Sequence, residues 1–171
     1  MSRSVVENFF SARASRLFAS AVLLAPLSVA GTALVSLALD SIFTLESIPP
    51  NSVAETAANG LDAVRVISAL ILAPIVENLL CLLWAKWLPT WDSPHNWWGK
   101  PCCIALIAAA FHALVFWDIR PFAVFPGFFI IAAYIVNTKN GKVGYWSSVV
   151  HHACINVINL SLVILASETY A

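Results

Sequence analysis

Charge is scarce in this chain. Only 9 Lys and Arg and 9 Asp and Glu stand among 171 residues, 11% of the sequence, less than half of the ~25% usual in a soluble domain. An ordinary water-soluble globule is thereby excluded. The two signs cancel to zero net charge, so no basic surface invites nucleic acid. Cysteine supplies no framework either. All four (Cys81, Cys102, Cys103, Cys154) fall within or beside apolar runs, where thiols pack as small, weakly polar groups and imply no disulfide pattern. Glycine-rich phosphate loops, cofactor motifs, internal repeats and low-complexity tracts are missing, as is a His-Glu-x-x-His cluster.

What is present is hydrophobic: 60% of the residues, with a mean hydropathy of +0.84. These values predict an integral membrane protein, an all-α polytopic helix bundle folded as a single domain over residues 1–171. Because about 20 apolar residues cross a bilayer core, the chain divides into five predicted spans, at roughly 17–39, 64–88, 102–117, 122–136 and 143–166. Residues 1–16 read as a cytoplasmic leader carrying Arg3, Arg13 and Arg16. The last two spans are separated by "NTKNGK", whose Asn-Gly pair favours a reversal, and the third and fourth by "DIRP".

Basic residues alternate between connections. The leader, Lys86 with Lys100, and Lys139 with Lys142 mark one side, whereas Asp40, Glu46, Glu55 and Asp62, the "DIR" joint and Glu168 mark the other. The positive-inside rule then predicts a cytoplasmic N-terminus and an external C-terminus in the cell membrane. Trp84, Trp87, Trp91, Trp97 and Trp98 suit an aromatic belt at the inner interface, and His95 among them reads as part of an interfacial loop.

The polar residues inside the spans are few and costly, which makes them candidates for binding or chemistry. At about 1.5 Å per residue, Glu77 lies about 14 Å beyond Lys86, His112 about 18 Å beyond Lys100 and His152 about 15 Å beyond Lys142. Three helices thus carry a proton-active group at one depth. Asn156 follows His152 by one helical turn and shares its face, while His151 points about 100° away. Singly, each residue could be a helix-packing hydrogen-bond partner. Together, a carboxylate, two imidazoles and a carboxamide can deprotonate water, stabilise an oxyanion and orient one another, the equipment for hydrolysing an amide.

"APIVENLLCLL" (Ala73 to Leu83), "AAAFHALVF" (Ala108 to Phe116) and "FPGFFIIAAYIVNTKNGKVGYWSSVVHHACIN" (Phe125 to Asn156) resemble the three ordered motifs of the CPBP family, which comprises CAAX-type prenyl-protein endopeptidases, bacteriocin-processing and self-immunity proteins, and abortive-infection proteins. The resemblance spans residues 64–166 and implies a four-helix catalytic core there. It further implies that Glu77 activates water, that His112 and His152 assist, and that Asn156 helps to form the oxyanion site. Two departures stand out. The family's first motif has a second glutamate and then an arginine where this chain has Asn78 and Leu82, and Ala108 replaces a usual phenylalanine. Asn78 retains hydrogen-bonding capacity to orient a partner.

The same atoms admit a metal-free glutamate mechanism or a zinc site built on Glu77, His112 and His152; the resemblance leans to the former. Cys81, on the face of Glu77, and Cys154, near the histidines, are conceivable thiol nucleophiles, with packing the simpler role. The expectation is an intramembrane endopeptidase acting on a peptide or membrane-anchored protein. Its rivals are an inactive relative serving as an immunity factor or scaffold, and a proton-relaying transporter subunit, which would have to oligomerise for want of a repeated half.

Overall fold

A computed structural model describes residues 3–43, 63–89 and 97–169. The connection bearing Glu46, Glu55 and Asp62, together with Trp91 and His95, lies outside the described residues. Helix α1 runs Arg3–Phe10 and α2 Ala14–Phe43. A short α3 (Ala63–Ile67) continues through a π-helical turn (Ser68–Leu72) into α4 (Ala73–Trp87), followed by α5 (Gly99–Phe116), a 3-10 turn (Arg120–Val124), α6 (Phe125–Asn137) and α7 (Gly141–Thr169). Among the described residues, five segments are long and apolar enough to cross a membrane: Ala14–Ile42, Ser68–Trp87, Gly99–Phe116, Arg120–Asn137 and Gly141–Leu165. They match the five predicted spans to within a few residues. The protein is an all-α polytopic helix bundle.

Proline and asparagine punctuate the helices. Pro126 sits in the first turn of α6, where a missing N–H costs least; Pro74 opens α4 directly after the π turn. Leu88, ahead of Pro89, leaves the helix with an extended ψ of 137°, as the proline ring requires of its predecessor. The "NTKNGK" reversal works as a cap: Asn140 Oδ1 accepts the N–H groups of Lys142 and Val143 at 3.2 and 3.3 Å, opening α7. At the "DIR" joint, Trp117 ends α5 in the left-handed region with φ 51°, and Asp118 Oδ1 accepts the Arg120 N–H.

Cys81, Ile104, Ala105, Ala108, Phe128, Ile131, Ala132 and Ile135 form the core among α4, α5 and α6. The alanines matter because association in lipid depends on close packing rather than on a hydrophobic drive. The outer surface is the reverse of a soluble protein's: Leu23, Leu114 and Leu165 are exposed on it. Gly144 allows the closest approach, since a Cβ there would stand 2.5 Å from the Tyr134 carbonyl oxygen and 2.9 Å from Thr138 Cβ.

Two features go beyond the sequence reading. The leader is not a plain extension: its first residues form α1, whose Phe9 and Phe10 rings pack on Tyr134 of α6. And α2 is no appendage to a four-helix core. His151 Nδ1–H donates to the Ala21 carbonyl at 2.7 Å while His151 Nε2 accepts from Ser28 Oγ at 2.9 Å. Ser20 donates to Leu17 O, so the Tyr134 hydroxyl donates to Ser20 Oγ at 2.7 Å. Buried polar bonds of this kind stitch α2 to α6 and α7. His151 belongs to this seam and faces away from Glu77, as the helical spacing requires.

Candidate active site between the helices

Helix α4 presents Glu77, α5 presents His112 and α7 presents His152. The Nε2 atoms of both imidazoles lie 3.7 Å from the same carboxylate oxygen, Glu77 Oε2. Three residues predicted to share a depth therefore share a point. Phe128 of α6 packs against both rings, with centroids 5.2 Å from His112 and 5.6 Å from His152, and so limits their rotation.

Hydrogen bonds assign the protons. His112 Nδ1 lies 2.8 Å from the Ala108 carbonyl, which can only accept, so the neutral ring carries its proton on Nδ1. For His152 the assignment runs through three residues. Ser148 Oγ gives its one hydrogen to the Tyr145 carbonyl at 2.6 Å and must therefore accept from Asn78 Nδ2, 3.0 Å away. That turns Asn78 Oδ1 toward His152 Nδ1, at 3.0 Å, and Nδ1 must be the donor. Both neutral rings consequently aim an Nε2 lone pair at a carboxylate oxygen. Acceptors at 3.7 Å cannot bond directly; a water that donates to two of them suits that spacing.

Asn78 is fully buried and positions His152. Asn156 is also tied into the backbone. In the π turn the Ala73 N–H reaches back to Ser68 O, and the next residue, Pro74, has no N–H to give. The Ala69 carbonyl is thereby left without a helical donor, and Asn156 Nδ2 supplies one at 2.7 Å. An amide carries two hydrogens, so one remains to act in the cavity that Asn156 lines.

That cavity, of about 170 Å³, is lined by Glu77, His112, His152 and Asn156, with Thr32 of α2 and Asn159 of α7 adding polar groups. A second cavity of about 190 Å³ shares Glu77, His112 and Phe128 with the first and is otherwise lined by apolar side chains. Glu77 is the most accessible of the three titratable groups, at 29%, against 20% for His112 and 9% for His152.

The donor set is chemically suited to zinc, with each imidazole anchored through Nδ1 as metal-bound histidines are. Its spacing is looser, since ligands on one tetrahedral zinc lie about 3.3 Å apart. Among the described residues no group of three His, Cys, Asp or Glu has metal-holding geometry. Cys81 is fully buried in the core, and all four thiols are unpaired; neither Cys81 nor Cys154 lines either of these two cavities.

Sequence reasoning missed several contributors. Ser148 lies one turn before His152 and Asn159 two turns after it, so helical spacing could have found both. Thr32, Phe128 and the Ala108 carbonyl are brought in by packing and carry no local signal. Compared with protein-family models, curated proteins and solved structures, the chain matches none.

Proposed function

We propose that this protein is an intramembrane endopeptidase that hydrolyses a peptide bond in a membrane-associated peptide or protein, with Glu77 activating the water. The observation that carries this reading is the pair of imidazole Nε2 atoms at 3.7 Å from one carboxylate oxygen, beside a cavity with polar lining. A water held there donates one hydrogen to Glu77 Oε2 and the other to an imidazole. Glu77 takes the proton as the water oxygen attacks the carbonyl carbon. The remaining Asn156 N–H is the donor for the oxyanion. The proton then passes from Glu77 to the departing amine as the C–N bond breaks. Water is the nucleophile, and the chain itself supplies the base and the oxyanion donor. The cytoplasmic N-terminus and external C-terminus expected from the basic residues complete the proposal.

A specific observation favours a second reading. Asn78 spends both ends of its amide on structure and Asn156 spends one hydrogen on Ala69, as a binding or immunity protein retaining the cavity without turnover would. Glu77→Gln separates the two. It keeps shape and hydrogen bonding but removes proton acceptance, so cleavage of a labelled peptide library by reconstituted protein should fall about a hundredfold or more. A parallel chelator arm tests the zinc route. If native protein cleaves nothing and Glu77→Gln leaves the cellular phenotype unchanged, the binding role replaces the enzymatic one.

A further inference from the structure

We infer that the apolar cavity beside Glu77 is a specificity pocket for one bulky apolar side chain of the substrate, adjacent to the bond that is cut; this rests on the endopeptidase reading above. The cavity measures about 190 Å³, and an apolar protein cavity of roughly 150 Å³ accommodates benzene. A phenylalanine or leucine side chain fits that scale. Glu77 and His112 supply the ionisable part of its lining, the floor of the inferred pocket, and Leu80 and Trp84 of α4 with Phe111 and Val115 of α5 supply apolar walls. Phe111 and Val115 are 48% and 55% exposed on the lipid-facing surface, so the mouth opens sideways between α4 and α5.

Two kinds of occupant compete for such a space. A lipid tail would lay methylene groups against a carboxylate and an imidazole and give them no hydrogen-bonding partner, a costly arrangement away from water. A peptide side chain in the same space brings its own amide to the floor, where N–H and C=O meet those groups. Glu77, His112 and Phe128 line both cavities. A chain with its apolar side chain in one cavity therefore has its backbone at the carboxylate and continues toward Thr32 and Asn159 in the other. The substrate class that follows is a membrane-partitioned peptide with a bulky apolar residue on one side of the cut bond and small polar residues on the other.

The test uses full-length protein in phosphatidylcholine and phosphatidylglycerol vesicles. An alanine-leucine membrane peptide carrying one diazirine leucine is the binding probe, and Glu77→Gln protein serves for crosslinking so that the probe is not consumed. Crosslinks should map to Leu80, Trp84, Phe111 or Val115. Val115→Trp narrows the mouth from its lipid-facing rim, where the fold is least at risk, and should cut their yield about tenfold. In the native background, the cleavage preference for Phe over Ala at the variable position should fall about tenfold in Val115→Trp. Crosslinks scattered over the bundle overturn the inference, as does a diazirine phospholipid that labels the same four residues and is not displaced by peptide. Pocket crosslinks without any cleavage by native protein uphold the pocket and remove the endopeptidase reading. Cleavage whose preference is unmoved by Val115→Trp does the reverse.

Discussion

At the scale of single residues, the most informative side chain is Asn78, because its two ends settle a proton that the coordinates of His152 alone do not. The chain from the Tyr145 carbonyl through Ser148 and Asn78 requires His152 to be protonated on Nδ1. Nitrogen-15 spectra of histidine-labelled protein should accordingly show the Nδ1–H tautomer for His152, and Asn78→Leu should leave a mixture of tautomers. The same substitution strands the buried Nδ1–H, at a cost of about 1–3 kcal/mol in stability. A dominant Nε2–H tautomer in the native protein would overturn the donor assignment and with it the pair of lone pairs facing Glu77. The sequence showed that Asn78 could orient a partner; which partner, and through which atom, came from a helix more than seventy positions away.

At the scale of elements, the π turn and the close α6–α7 crossing each make a demand on particular residues that substitution can test. The unserved Ala69 carbonyl has a cause, Pro74, and a remedy, Asn156. Asn156→Ala should therefore lower thermal stability as well as turnover. Pro74→Ala restores a donor near that carbonyl, so the double variant should be less destabilised than the sum of the singles by about 1 kcal/mol. Strict additivity would mean that Asn156 does not serve the proline gap. At the crossing, Gly144→Ala drives a methyl group into backbone at 2.5 Å and should cost about 2 kcal/mol or more. Gly141→Ala meets nothing within 4 Å and should be tolerated in the same melting assay. The two glycines look alike in sequence, and only their neighbours distinguish them.

At the scale of the whole molecule, the proposed topology takes the five candidate spans among the described residues as five crossings, with the two ends on opposite sides. Cysteine labelling, after replacement of the four native thiols, should find Lys86, Lys100, Lys139 and Lys142 on the cytoplasmic side and Glu46, Glu55 and Glu168 outside. An external Lys139–Lys142 turn would invert the molecule and the side from which a polar substrate segment arrives, while leaving both cavities intact.

Number and limits of the spans, and the common depth of Glu77, His112 and His152, were legible from the sequence for a simple reason. Hydrocarbon admits almost nothing but helices, and a helix advances by a constant rise, so depth can be counted along the chain. The helical repeat likewise put His152 and Asn156 on one face and His151 on another. Direction around the helix axis toward a particular neighbour is different, because it is set by which helices touch, and those contacts join residues far apart in the chain. Tertiary structure alone decided that His151 meets α2, that Phe128 packs on both imidazoles, that Asn156 completes a proline-broken turn, and that Glu77 lines both a partly polar and a mainly apolar cavity.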